Sequence, residues 1–346
     1  MRTIKTINDL KQRMEKLVQA NDVIFIAPHV APDIDAIGSA IATYMIVKQI
    51  GKEAYIVIDE EFGKLEMGVK TILSEVPESV NVIDLATSKE LMKDKNTLLI
   101  TTDTNKTNLV PFETFNEFNN ILIIDHHKTD EHTIQTDDFY INELASSSCE
   151  ILFLLATQFG VTLDYRNIEV QNDDITNISN YLLGGIVLDT GKLTKNFSSE
   201  TLETAACLMR LGADINYVNS LFLDDWETDI RVSNLVSNTN WQMFNIGIAM
   251  NHDDPEMKYL KEDLAKAAEA LIKYKNTDAA FALGYIAAGI VYISARSKGV
   301  VDVGEIMHQL MGGGTQTSAA AKVATDDIND VKEQLEDIIR PGYKLK

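Results

Sequence analysis

The sequence predicts an α/β protein: an N-terminal, mostly parallel sheet flanked by helices, a helical linker, and a smaller α/β domain with a mixed sheet. Three observations predict it. Short, mainly apolar runs alternate with helical patterns up to Asp189, as in a buried parallel sheet. Several of these runs end directly in an acid. A hairpin pattern follows later, in a chain whose 346 residues exceed one typical domain.

The elements are expected as follows. Residues 7–20 form an amphipathic helix. Residues 23–27 form a buried strand that ends in the polar loop 28–35. Residues 36–50 are helical and stop at Gly51. Residues 54–58, 97–102 and 120–124 are further strands, the last two followed by Asp103 and Asp125. Residues 148–159 are helical, 181–188 run from helix to loop before Asp189, and 201–211 are helical up to Gly212. A polar helical stretch, 216–237, links two domains, so the expected division is 1–212, a linker at 213–240, and 241–346. In the second domain 243–250 is a strand, 260–274 a helix, 281–286 and 289–295 a hairpin, and 303–310 a helix. Gly312-Gly313-Gly314 follows, then a helix from about Ser318.

Composition narrows the function. The net charge of −21 offers no general basic surface for long nucleic acid. The N-terminus has no apolar secretory core. The longest apolar run, 279–293, falls short of the ~20 residues of a membrane span. The two cysteines, Cys149 and Cys207, form no framework and suit a reducing compartment. A soluble, cytoplasmic protein without a membrane segment is expected.

In an open parallel sheet, ligands bind beyond the carboxyl ends of strands. Four segments offer acids or histidines there: His29-Val30-Ala31-Pro32-Asp33-Ile34-Asp35, Asp103, Asp125-His126-His127, and Asp189. Imidazole with carboxylate suits Mn²⁺, Fe²⁺, Co²⁺ or Zn²⁺, whereas carboxylates alone would suit Mg²⁺ or Ca²⁺. These donors exceed the needs of one ion. Two divalent cations would use them all, with Mn²⁺ the first choice and Mg²⁺, Co²⁺ or Fe²⁺ as alternatives. An aspartate at one strand end is ordinarily a helix cap; the ordered set of four is not. His132, His252 and His308 fall outside the pattern and are read as surface or packing residues.

On these motifs the chain resembles the DHH phosphoesterase superfamily over nearly its whole length. The first motif matches at His29, Pro32, Asp33, Asp35, Ala36, Ile37 and Gly38, the second at Asp103-Thr104, the third at Asp125-His126-His127, and the fourth at Asp189-Thr190. Ser294-Ala295-Arg296-Ser297 and Gly312-Gly313-Gly314 resemble the DHH-associated domain. The resemblance implies that His29 and Asp33 bind a first metal, Asp35 and His126 a second, and Asp103 both, with Asp189 completing the first or bridging. Asp103, Asp125 and His127 would form the catalytic set: His127 faces the substrate and Asp125 orients a histidine ring. Arg296, Ser294, Gly312, Gly313, Gly314, Thr315 and Ser147 would contact substrate. Ser146, Ser147 and Ser148 could equally cap a helix.

The segments 185–190, 205–214 and 293–310 look closest to the catalytic portion of membrane-anchored cyclic-di-AMP phosphodiesterases. A stand-alone enzyme and an excised catalytic region are both compatible, and Met1 favours the former. Two residues depart from the pattern. Thr315 stands where the family has His, and Glu200 lies where close relatives carry a basic residue. The expected activity is hydrolysis of cyclic di-AMP to pApA, with further cleavage to AMP as an extension of it. The alternatives are a nanoRNase or 3′,5′-bisphosphate nucleotidase acting on short oligonucleotides or pAp, and a non-catalytic nucleotide sensor. A pyrophosphatase fits the triple glycine poorly. The expected partner is a small nucleotide, and a homodimer is left open.

Overall fold

The computed structural model describes residues 4–59, 65–161, 178–223, 226–242, 245–251 and 258–342. His252 lies outside them. The chain divides into two compact units, Met1–Leu223 and Asp224–Lys346.

The first unit holds strands β1 (Val23–Ala27), β2 (Ala54–Val57), β3 (Val82–Ile83), β4 (Thr97–Thr102), β5 (Asn120–Asp125) and β6 (Asp138–Ile141). Its helices are α1 (Ile7–Ala20), α2 (Ile34–Gln49), α3 (Met67–Glu75), α4 (Leu85–Leu91), α5 (Ser148–Phe159), α6 (Ile178–Asp189), α7 (Ser199–Arg210) and α8 (Ile215–Ser220). The sheet runs β3-β2-β1-β4-β5-β6, parallel throughout. The sequence pattern missed β3 and β6. Both are edge strands, half-buried, so neither carries a continuous apolar run.

Successive residues of β1 point to opposite faces, and both faces are covered. Ile24 and Ile26 join the helices of one core; Val23, Phe25 and Ala27 join Phe112 and Phe118 in the other. This is why β1 is apolar at all five positions. Helix α2 is buried on nearly every side and correspondingly apolar all round. The strand order reverses between β1 and β4, which opens a crevice at their carboxyl ends.

The second unit holds α9 (Trp226–Ser237), β7 (Thr239–Gln242), β8 (Ile246–Met250), α10 (Lys261–Ile272), β9 (Ala279–Ala287), β10 (Ile290–Ser297), α11 (Val303–Gln309), β11 (Gly313–Gly314), β12 (Ser318–Ala324) and α12 (Ile328–Gly342). Its mixed sheet runs β11-β12-β10-β9-β8-β7, with β8 and β9 parallel and the other pairs antiparallel. Helices α9 and α10 cover one face; α11 and α12 cover the other.

Two expectations change here. The segment from Ser318 is a strand, not a helix. Its alanine-rich sequence favours a helix by local propensity, but seven residues pair with β10 and give the sheet its sixth strand. The expected linker, 213–240, instead holds α8 within the first unit and α9 within the second. Each helix packs through its own buried residues, Val218 in α8 and Leu235 in α9. Among the described residues no helix is long and apolar enough to cross a membrane.

Candidate metal centre and substrate contacts

The loop after β1 places His29, and Asp33 then caps α2, its Oδ1 accepting from the Ala36 amide at 3.0 Å. Asp35 is the second residue of α2, in its first turn, and is wholly buried. Asp103 directly follows β4 in the left-handed region, at φ 60°, where Asp is better tolerated than most side chains. Asp125 ends β5, and His126 and His127 follow it. Asp189 comes from the last residue of α6, a helix C-terminus rather than a loop or strand end.

These side chains converge in two groups. His29 Nε2 lies 3.8 Å from Asp33 Oδ2 and 3.6 Å from Asp103 Oδ2. His126 Nε2 lies 3.4 Å from Asp103 Oδ1, 3.9 Å from Asp35 Oδ2 and 3.2 Å from Asp189 Oδ2. Asp103 therefore offers one oxygen to each group. Asp189 lies with Asp35 and His126, apart from the His29–Asp33 group, whereas the resemblance implied that it completes the first site or bridges the two. The cause is local packing. Gly185 of α6 lies so close to α2 that a Cβ there would sit 2.4 Å from Asp35 Oδ1, so α6 ends over the Asp35 side of the crevice.

Three of these side chains are themselves held. The Ser148 and Cys149 amides, at the N-terminus of α5, both donate to Asp35 at 2.8 Å. They are two of the donors that a helix start leaves unpaired, and they carry its positive end to a buried carboxylate. The Ser148 hydroxyl donates to Asp103 Oδ1 at 3.0 Å. His29 Nδ1–H donates to the Val30 carbonyl at 2.9 Å, which leaves the Nε2 lone pair facing the acids.

Asp125 is buried and saturated. Its Oδ1 accepts from the His126 and His127 amides and from His127 Nδ1, and its Oδ2 accepts from Asn105 at 2.6 Å. It is thus an orienting group. His127 is half-exposed, and its Nδ1 is engaged by Asp125.

The residues present fit divalent cations. His126 Nε2 is buried and makes no hydrogen bond of good geometry, although three carboxylates surround it. Donors that crowd one point without bonding one another are arranged for a shared cation. The charge balance agrees. Burial works to lower the His126 pKa, but Asp103, Asp189 and Asp35 push it up to about 11. Burial and the nearby acids raise Asp189 to about 6 and raise Asp103 well above the usual carboxylate range. Burial also opposes ionisation of His29 and Asp33, yet their pairing raises the histidine and lowers the aspartate.

The expected substrate contacts behave differently. Ser147 is not one: it is fully buried, and its hydroxyl accepts from the Glu150 amide as the N-cap of α5. Ser146 is also engaged, through the buried Glu150 carboxylate that Thr201 shares. Arg296, on β10, pairs with Glu269 at 3.1 Å and reaches the Ser294 hydroxyl at 3.4 Å. Gly312-Gly313-Gly314 leads into a tight turn rather than a helix. A Cβ at Gly314 would meet Ala319 Cα at 2.4 Å, and its φ of 143° excludes most other residues. Only Gly313 opens onto free space. The turn lines an open cleft with Asp302, Glu305 and His308. The Thr315 hydroxyl bonds within it to the Ser318 backbone.

Sequence reasoning missed Asn105 and the Ser148 and Cys149 amides. The Ser-rich start of α5 was a usable signal, because a capped helix N-terminus attracts an anion.

Residues 23–186 match the DHH family, N-terminal domain, and residues 256–340 match the DHHA1 domain. The chain is similar to the cyclic-di-AMP phosphodiesterase PdeA of Listeria monocytogenes, 29% identical over 97% of this chain and 50% of that protein. It is similar to the bifunctional oligoribonuclease and PAP phosphatase NrnA of Thermus thermophilus, 25% identical over 95% of this chain and 94% of that one. The chain thus spans about half the length of the first of these relatives. In fold it resembles an exopolyphosphatase-related protein from Bacteroides fragilis, with a TM-score of 0.79 at 17% identity over 99% of this chain and 98% of that one.

Proposed function

We propose that this chain, which carries the DHH family N-terminal domain and the DHHA1 domain, is a metal-dependent phosphodiesterase that hydrolyses cyclic di-AMP to the linear dinucleotide. The observation that carries the enzyme reading is Asp103, which offers one oxygen to the His29–Asp33 group and the other to the His126 group. When bound, divalent cations supply Lewis-acid polarisation of a phosphoryl oxygen and lower the pKa of water. Mixed imidazole and carboxylate donors suit Mn²⁺, Fe²⁺, Co²⁺ or Zn²⁺, with Mn²⁺ the first choice.

The chain's own residues have distinct parts in this reading. His29, Asp33, Asp35, Asp103, His126 and Asp189 hold the cations. Asp125 and Asn105 fix the His127 backbone and ring, so that its Nε2, when the ring is protonated, can donate to a phosphate or leaving oxygen. Arg296 offers a planar guanidinium to a phosphate in exchange for Glu269.

Cyclic di-AMP is favoured by the similarity to the Listeria protein. A second reading, cleavage of short oligonucleotides or 3′-phosphoadenosine-5′-phosphate, is favoured by the end-to-end match with the Thermus protein. Incubation with Mn²⁺ and a panel of cyclic di-AMP, pApA and that bisphosphate, followed by chromatography, separates the two. Turnover of pApA with no attack on the cyclic form would overturn the first. Binding without turnover across Mn²⁺, Mg²⁺ and Co²⁺ would overturn both.

A further inference from the structure

One aromatic corner of the second unit has no part in the proposed catalysis. Trp241 lies on β7, the edge strand, and Tyr274 lies just beyond α10. Their rings meet edge to face, with centroids 6.5 Å apart and planes at 76°. Both residues are about half exposed, at 50% and 55%. The indole lies over Gly247, the residue paired with Trp241 across the sheet, where a Cβ would meet the ring at 3.2 Å. The two rings wall a cavity of about 460 Å³, lined also by Asn245, Lys275, Asn276 and Thr277.

Two further observations point to a polar, anionic occupant. Thr277 lines the cavity, is fully buried, and leaves its hydroxyl without a hydrogen-bond partner. A buried hydroxyl of this kind ordinarily has one. Lysines also gather here, against the trend of a chain with net charge −21. Lys273 and Lys275 are exposed beyond α10, and Lys298 donates to the Tyr274 carbonyl at 2.6 Å. Asp278 is the nearby acid, and it accepts from Asn245 at 3.3 Å.

We propose that this corner is a nucleotide-binding site, formed without any residue of the metal centre. The base stacks against the Trp241–Tyr274 pair, Asn276 meets its polar edge, and Lys275 faces its phosphate, with Lys298 adding positive charge behind it. Aromatic stacking with flanking cations recognises bases without strict sequence choice.

The chain has two tryptophans, Trp226 and Trp241, and Trp226 is 76% exposed. A Trp226→Phe variant therefore leaves Trp241 as the sole indole reporter. Titration of this variant with AMP in metal-free buffer should quench Trp241 fluorescence saturably. Tyr274→Ala and Lys275→Ala should each weaken the apparent affinity about tenfold, in the range of one lost stacking contact. Ribose 5-phosphate, which lacks a base, should quench little. The Asp103→Asn change should leave the AMP titration unaltered, so failure here is separable from failure of the phosphodiesterase reading. The Trp241 indole N–H resonance, followed in the wild-type chain, provides a second readout. No saturable quenching up to about 10 mM AMP, or equal quenching in the Tyr274 and Lys275 variants, overturns the site. A titration that shifts with Asp103→Asn also overturns it.

Discussion

The candidate metal centre of the first unit and the glycine-run region of the second are built to opposite rules. At the centre, Asp35 is held by two helix amides, Asp103 by the Ser148 hydroxyl, and Asp125 by Asn105 and two backbone amides, all under cover. In the other region, Arg296 is held by half-exposed Glu269, and Gly313 and Thr315 sit at the surface. Buried, mutually supported ligands fix geometry before any cation arrives. An exposed ion pair is worth little and exchanges readily for a phosphate. In the proposed function, chemistry is therefore the fixed part of this protein and recognition the adjustable part.

Breaking the fixed part should have the largest effect. Asp103→Ala removes the shared ligand, so Mn²⁺-dependent turnover should fall by more than the ~100-fold that supporting groups cost. Mn²⁺ should raise the melting temperature of the wild-type chain but not of this variant. Substantial Mn²⁺-dependent hydrolysis by Asp103→Ala would falsify the shared-ligand assignment.

Asn105→Ala tests whether the support matters as well as the ligands. It strips a donor from buried Asp125, and calorimetric titration should show Mn²⁺ affinity or activity lower by about 10- to 100-fold. A wild-type value would mean that Asp125 holds its histidines unaided.

The recognition side should respond more mildly. Arg296→Ala should raise KM about tenfold, the scale of one charge-assisted hydrogen bond, with metal content unchanged. Glu269→Gln should move KM the other way by a few-fold, because it weakens the pair that competes with the substrate. A fall in bound metal in either variant would erase the contrast between the two regions.

The smallest effect concerns stability alone. Met311 follows α11 at φ 58°, a left-handed position, with its side chain 92% exposed. Met311→Gly should relieve that strain and stabilise the second unit by roughly 1 kcal/mol, seen as a higher urea midpoint.

The candidate site was more legible than the fold around it. The sequence motifs named the residues of both groups because a parallel strand announces itself as an apolar run, and whatever follows it lies at the ligand-binding end. Edge strands such as β3 and β6 lack that run. The segment from Ser318 misled because alanine favours a helix locally, while its partner strand lies at Ile290–Ser297, beyond the reach of any window. The Ser146–Ser148 stretch read as both cap and substrate contact. The fold uses it as cap and as ligand support, since the start of α5 is turned inward onto Asp35 and Asp103.

The sequence by itself determined the alternation of strands and helices, the strand ends, and the donor types gathered there. These depend on neighbours within a few residues. Only the tertiary structure decided which donors share a group, that Asp189 joins Asp35 through the close approach at Gly185, and that Asn105 and the α5 amides support the acids. Those relations join residues as far apart as Asp35 and Cys149. They arise because close packing, not chain order, sets which polar groups must satisfy one another once water is excluded.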